Sequence, residues 1–389
     1  MTIPPCTRHR ATAVCRALLL AAAFVPLDAT SADAQASRSK ASGSVSPPAP
    51  DRRRFRADSF LIREWLRGGT KEPERFVEPR QLVVAGEQLI VLDMGTREVS
   101  ALDAKTGAAR FSLAARGEGP GEFKRPALLL ARGAEFGVID QATARLTMFS
   151  GRGTYVGDTP MTDAGMLEGG CLLSAGRVLT KVAGTDNALR LVDSTGSVRL
   201  QRSLPSSSNA QDHSALMASA DVAGPLANGA CAIVPRYGAV WYSIVPGGMP
   251  VPHPYVEAGV SSLPRAESKT LEKDWRSETR TVTEISNIPP IARGALTIGD
   301  TLIVQAGATK RFPFLLLDYY HLPSGRYVYS RRMFASFSAL TIGPDGWFYG
   351  ALIGDENAAV LAFTPATRLP GKGPAGAPVK PTTAVPHQR

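Results

Sequence analysis

Cysteine is scarce in this chain, and so is histidine: four and five residues of 389. Four thiols in 389 residues are too sparse for a disulfide-stapled fold, and a chain this long has enough core to do without staples. No Cys-x-x-Cys pair, His-Glu-x-x-His motif or EF-hand loop is present, so no strong metal signature exists. There is no Gly-x-Ser-x-Gly elbow, which removes one common setting for a nucleophilic serine. The histidines His213, His253 and His321 are scattered, one to a segment, and read as loop residues rather than bases. No catalytic residue and no metal ligand is assigned on these grounds. Long apolar runs are missing too. The longest, Ala17–Leu27, has 11 residues, against about 20 for a membrane-spanning helix.

That short run has a different meaning. Arg8, Arg10 and Arg16 precede it, Pro26 lies at its end, and Ala32-Asp33-Ala34 follows as a small-x-small site. Residues 1–34 therefore read as a secretory signal peptide, and the expected location is periplasmic or secreted. Cys6 and Cys15 fall within it, which leaves Cys171 and Cys231. In an oxidising compartment these two could form one disulfide; two buried thiols acting as small hydrophobes is the other reading. Their contexts, Cys171-Leu-Leu-Ser and Cys231-Ala-Ile-Val, look like the starts of inner strands in successive repeats.

What is abundant is turn chemistry: 37 glycines and 30 prolines. Residues 35–57, rich in Ser, Pro and Arg, read as a disordered basic linker. Residues 366–389 read as a disordered Pro/Gly-rich tail. Between them, residues 58–365 alternate short apolar runs with Gly turns, the pattern of an all-β chain. Repeats are visible. At an offset of 47 residues Pro79 falls on Pro126, Leu92-Asp93 on Ile139-Asp140, and Val99–Leu102 on Leu146–Phe149. Turns ending in Gly107, Gly153, Gly196, Gly248 and Gly325 mark five units. A sixth has only three strands, starting at Ser338, Gly346 and Ala358. The orphan segment Phe60–Leu66 supplies the missing one. A six-bladed β-propeller whose N-terminal strand closes the last blade is the economical solution, since closure protects sheet edges. The long step before Gly325 holds an insertion near 250–290. There Ser262, Leu271 and Trp275 predict a helix or lid, with a solvated loop as the alternative.

The second unit, Gly137-Val-Ile-Asp140-Gln-Ala-Thr-Ala-Arg145-Leu-Thr-Met-Phe149, resembles an NHL-type propeller blade. The resemblance implies that Asp140 and Arg145 tie the turn between second and third strands by pairing across it. Gly117-Glu-Gly-Pro-Gly-Glu-Phe123 is similar to a linker of exported bacterial six-bladed propeller proteins. It lacks Gly-Lys-Ser/Thr, so it is no phosphate loop. As a crossing between blades it could place Arg116, Glu118 and Glu122 beside a central channel. Lys310, Arg311 and Phe312 form a second candidate contact in the fifth unit, where Phe314, Tyr319, Tyr320, Tyr327 and Tyr329 also crowd.

The fold implies no single activity. A binding module for a small ligand or an extracytoplasmic protein is the favoured function, with no cofactor. The alternative is a calcium-dependent lactonase or esterase, for which Glu122, Asp163, Asn187, Asn228 and Asn287 could supply oxygens in the channel. The net charge of +10 suggests nucleic acid until it is located. The leader carries +1, the linker +5 and the tail +4, so the propeller is neutral. No nucleic-acid partner is expected, only weak, salt-screened contact of the basic ends with an anionic surface.

Overall fold

The computed structural model describes residues 54, 60–72, 75–113, 117–161, 167–182, 188–204, 220–225, 229–236, 240–245, 247–256, 266–272, 279–285, 291–307, 316–353 and 357–366. They form a six-bladed β-propeller. Blade 1 is β2 (Pro79–Ala85), β3 (Gln88–Asp93), β4 (Glu98–Asp103) and β5 (Ala109–Leu113). Blade 2 is β6 (Pro126–Arg132), β7 (Glu135–Asp140), β8 (Arg145–Ser150) and β9 (Tyr155–Pro160). Blade 3 is β10 (Leu167–Leu172), β11 (Val178–Val182), β12 (Ala188–Val192) and β13 (Val198–Ser203). Blade 4 is β14 (Ala220–Ala223), β15 (Cys231–Pro235), β16 (Val240–Ile244) and β17 (Val251–Pro254). Blade 5 is β20 (Ala292–Ile298), β21 (Thr301–Ala306), β22 (Leu316–His321) and β23 (Arg326–Arg332). Blade 6 is β24 (Ala339–Ile342), β25 (Phe348–Leu352) and β26 (Ala359–Ala366), completed by β1 (Phe60–Gly68) from the start of the ring.

The first strand of each blade touches its counterparts in the blades on either side, and the six close a ring around a central channel. Burial falls outward from there. Second strands such as β3 and β7 are buried along nearly their whole length, because blades cover both their faces. Outer strands such as β13 are mostly exposed. The core is accordingly divided into six apolar layers, one between each pair of neighbouring blades. The layer between blades 6 and 1 contains Phe76, Leu89, Val91, Tyr349 and Val360, with Trp65 of β1 packed against it.

The closing strand is pinned on both sides. Leu66 pairs with Leu361 in antiparallel register. Trp65 Nε1 donates to the carbonyl of Ala104 in blade 1 (3.0 Å), and Arg67 Nε donates to that of Gly107 (2.8 Å). Two of the predicted glycine turns, at Gly107 and Gly196, are Asx-type hairpins. Asp103 Oδ1 accepts from the amides of Lys105 and Thr106, and Asp193 Oδ1 from those of Thr195 and Ser197. Gly196 has φ +84°, and a Cβ there would lie 2.3 Å from the carbonyl oxygen of Pro160, so no other residue fits.

Three expectations need correction. The described part of the insertion is no helix: β18 (Ala266–Glu272) and β19 (Thr279–Ile285) pair antiparallel as a separate two-stranded sheet, while Ser262 and Trp275 lie outside the described residues. The β-branched run Thr279-Arg-Thr-Val-Thr-Glu-Ile285 favours strand over helix, outweighing the helix formers before it. Cys171 lies on the inner strand β10, but Cys231 lies on β15, a second strand. The inner strand of blade 4 is instead the short β14. The two sulfurs are joined between blades 3 and 4, with Cα atoms 6.4 Å apart. Finally Arg54, within the expected linker, is held on the edge of blade 5. Its carbonyl accepts from the Ser330 amide and its amide donates to Tyr327 Oη, each at 2.9 Å. The rest of that linker, the leader and the tail beyond residue 366 lie outside the described residues.

Candidate functional site

Every blade starts on the same face of the ring, so the first residues of the inner strands surround one mouth of the channel. In four of these strands the second residue is a β-bulge, opposite nothing on the partner strand: Arg80, Ala127, Glu168 and Arg293. Asp221 holds the second position of β14 in regular register. Bulges re-aim side chains at the rims of closed sheets. Here bulges set Arg80, Glu168 and Arg293 around the mouth, with Asp221 between the last two.

Each charge has a defined setting. Arg80 pairs with Glu78 at 2.5 Å and stays half exposed. Arg293 Nη1 donates to Ser336 Oγ at 3.4 Å. Burial lowers the Arg293 pKa, and the neighbouring charges of Arg236 and Arg80 lower it further. Arg236 follows β15; its carbonyl accepts from the amide of Ile291 at 2.7 Å, tying blade 4 to blade 5. Its guanidinium lies 3.4 Å from Asp221 Oδ1. The Asp221 side chain is 23% exposed, yet its Oδ2 is covered and has no hydrogen-bond partner. Burial raises the Asp221 pKa; Arg236 opposes the shift and Glu168 adds to it. Glu168 is balanced from beneath by Lys181, wholly buried, 3.2 Å away. Burial lowers the lysine pKa, and Glu168 partly restores it. Lys181 Nζ also donates to the carbonyl of Val182 at 2.8 Å. Past the mouth the inner strands become apolar, with Leu82, Leu128, Leu130 and Leu296.

The described residues among those singled out from sequence serve the fold. Asp140 and Arg145 face each other in register across the β7–β8 turn but do not pair with each other. Asp140 is fully buried, and its carboxylate accepts four backbone N–H groups, from Lys124, Arg125, Ala142 and Thr143. Arg145 donates to the carbonyls of Glu118, Gly119 and Glu122 and is 3.4 Å from Asp158. Both therefore clamp the 117–125 crossing. Glu122 folds back so that Oε2 accepts from the Gly119 amide at 2.8 Å. In this run Gly121 has φ +76°, the left-handed region that favours glycine. Phe123 is buried against Phe149. Glu118 is exposed and pairs with Lys124. Asp93 repeats the Asp140 device 47 residues earlier, accepting from Val77, Glu78, Gly95 and Thr96.

Arg116, Lys310, Arg311, Phe312 and Phe314 lie outside the described residues, as do Asp163, Asn187, Asn228, Asn287 and His213. Among the described residues, no group of three or more His, Cys, Asp or Glu side chains is placed to hold a metal ion. The tyrosines of blade 5 form cross-strand pairs: Tyr319 stacks on Tyr329 with centroids 4.3 Å apart, and Tyr320 meets Tyr327 edge-on. His253 is a strand residue packed on Trp241 and bonded to Ser243 Oγ, and His321 contacts Ser324. No described helix is long and apolar enough to cross a membrane.

Sequence reasoning missed Arg80, Glu168, Asp221, Arg236 and Arg293. For the inner-strand residues, the available signal was a lone charge one residue into an otherwise apolar first strand.

No family model and no curated protein matches the chain. Solved structures do match in shape. A candidate exported protein from Bacteroides fragilis is 12% identical, with TM-score 0.51 over 81% of this chain and 97% of its own. Virginiamycin B lyase from Staphylococcus aureus is 9% identical, with TM-score 0.44 over 78% of this chain and 99% of its own. At such identities the likeness is one of fold alone.

Proposed function

We propose that this chain is an exported six-bladed propeller that binds a small ligand at the charged channel mouth and catalyses no reaction on it. The carrying observation is the ring of re-aimed charges: three bulges place Arg80, Glu168 and Arg293 around one opening, at the start of inner strands that are apolar further along. Concave, mostly apolar sites with a few converging polar groups are the usual ligand pockets. The charged leader, short apolar run and small-residue site support export. The Asp140–Arg145 spacing and the Gly117–Phe123 crossing support kinship with NHL-like exported propellers, whose function differs from member to member. The basic ends could add weak attraction to an anionic envelope surface.

The experiment is a thermal-shift screen of sugars, amino acids, carboxylates, phosphates and calcium, with an Ala127→Trp plug in the mouth as control. A ligand that stabilises the native chain but not the plugged one, and is recovered unchanged, is the expected result. Calcium-dependent hydrolysis of a lactone or ester, abolished by chelation, would overturn the non-catalytic reading in favour of a hydrolase.

A further inference from the structure

We infer that the mouth takes its ligand by an anionic group, a carboxylate or a phosphate, held among Arg80, Arg236 and Arg293. This rests on reading the mouth as the ligand site. Three guanidiniums from blades 1, 4 and 5 gather at the opening, Arg80 and Arg293 at bulges and Arg236 just after β15. Arg80 Nε and Nη2 donate to Glu78 and Arg236 Nη2 to Asp221, yet the two side chains remain 52% and 45% exposed, so their other donors are within reach of an incoming group. Planar guanidiniums match carboxylate and phosphate oxygens in a fork geometry.

The surrounding carboxylates leave the site electropositive. Around the opening stand three arginines, Arg80, Arg236 and Arg293, against the carboxylates Glu78, Glu168 and Asp221, with Lys181 wholly buried below them. Glu168 is engaged by the buried Lys181 beneath it. Asp221 is a weak counterion: it meets Arg236 only at 3.4 Å, and its covered Oδ2 has no partner. Burial is the main cause of the lowered Arg293 pKa, and repulsion from Arg236 and Arg80 adds to it. An oxyanion placed among them would relieve that repulsion.

The test is calorimetric titration of the full chain at low ionic strength with citrate, glucose 6-phosphate and glucose. Citrate, glucose 6-phosphate or both should bind, glucose should not, and the affinity should fall as salt rises. The two anions tell a carboxylate site from a phosphate site. Arg80→Gln with Arg293→Gln should weaken binding about tenfold or more, the loss expected for hydrogen bonds to a charged group. The matching lysine variants should recover part of it. Arg152→Gln, on the opposite face, should change nothing. Should the glutamine pair fail to fold, the lysine pair and the salt dependence still decide. Failure of both anions to bind, or equal binding by wild type and the arginine variants, would overturn the inference. Binding of glucose as well as the anions, still blocked by Ala127→Trp, would overturn this inference and leave the mouth as a ligand site. Binding of the probes untouched by that plug would overturn both.

Discussion

Removing the Asp140 carboxylate should cost far more than an ordinary turn substitution. The group is fully buried and holds four backbone amides: Lys124, Arg125 (3.0 Å), Ala142 (2.7 Å) and Thr143 (3.1 Å). A buried donor left without a partner costs about 1–3 kcal/mol. Four of them would reach an extreme total, but amides in a surface turn and crossing can regain water. Asp140→Ala is therefore expected to destabilise by about 3–5 kcal/mol, at the upper end for single substitutions. Asp140→Asn keeps the shape but turns an NH2 toward two of the donors, and should cost about half as much. Blade 1 provides an internal replicate, because Asp93 holds four amides in the same pattern at 3% exposure. Asp93→Ala should match Asp140→Ala. Arg145 secures the same crossing through three carbonyls, so Asp140→Ala combined with Arg145→Ala should cost less than the two singly added. The assay is urea unfolding followed by tryptophan fluorescence, with an unchanged slope required for comparison. Losses below about 1 kcal/mol for both alanine variants would refute the claim that these carboxylates clamp the crossings.

Three further outcomes follow from the same structure. Deleting residues 1–68 removes β1 and bares β26 as an edge strand, so the chain should lose its cooperative fold or associate; size-exclusion chromatography and circular dichroism report this. Cys171→Ser with Cys231→Ser opens a 60-residue loop and should cost about 4 kcal/mol on the chain-entropy model, read by unfolding with and without reductant. The Arg110 hydrogen bond is the largest influence holding the Asp103 pKa down, to about 2. Its contribution to stability is thus complete above the ordinary carboxyl range and lost as pH falls through the folded value. Arg110→Ala should raise that value, visible in an NMR titration of the Asp103 side chain.

Much of the ring was legible in the linear chain. Repetition at 47 residues registers hydrogen bond for hydrogen bond: Asp93 with Asp140, and the paired positive φ angles of Arg97 and Ala144. The closing strand was legible because a three-stranded unit and an orphan strand have only one economical pairing. The insertion misled because its helix formers precede a β-branched run, and strand pairing with that run decided the outcome. The Asp140–Arg145 spacing suggested an ion pair, since it shows proximity along the chain but not the crossing that both residues hold.

Composition and periodicity by themselves determined the all-β class, the number of blades and the site of closure, because strand period and turn chemistry are local properties. They also placed the excess charge in the chain ends. The tertiary structure alone decided which charges meet. Arg80, Glu168, Asp221, Arg236 and Arg293 are spread over more than 200 residues, and only closure of the ring brings them to one opening. Bulges one residue into the inner strands then aim three of them around it, and a register shift of that kind leaves no mark in composition.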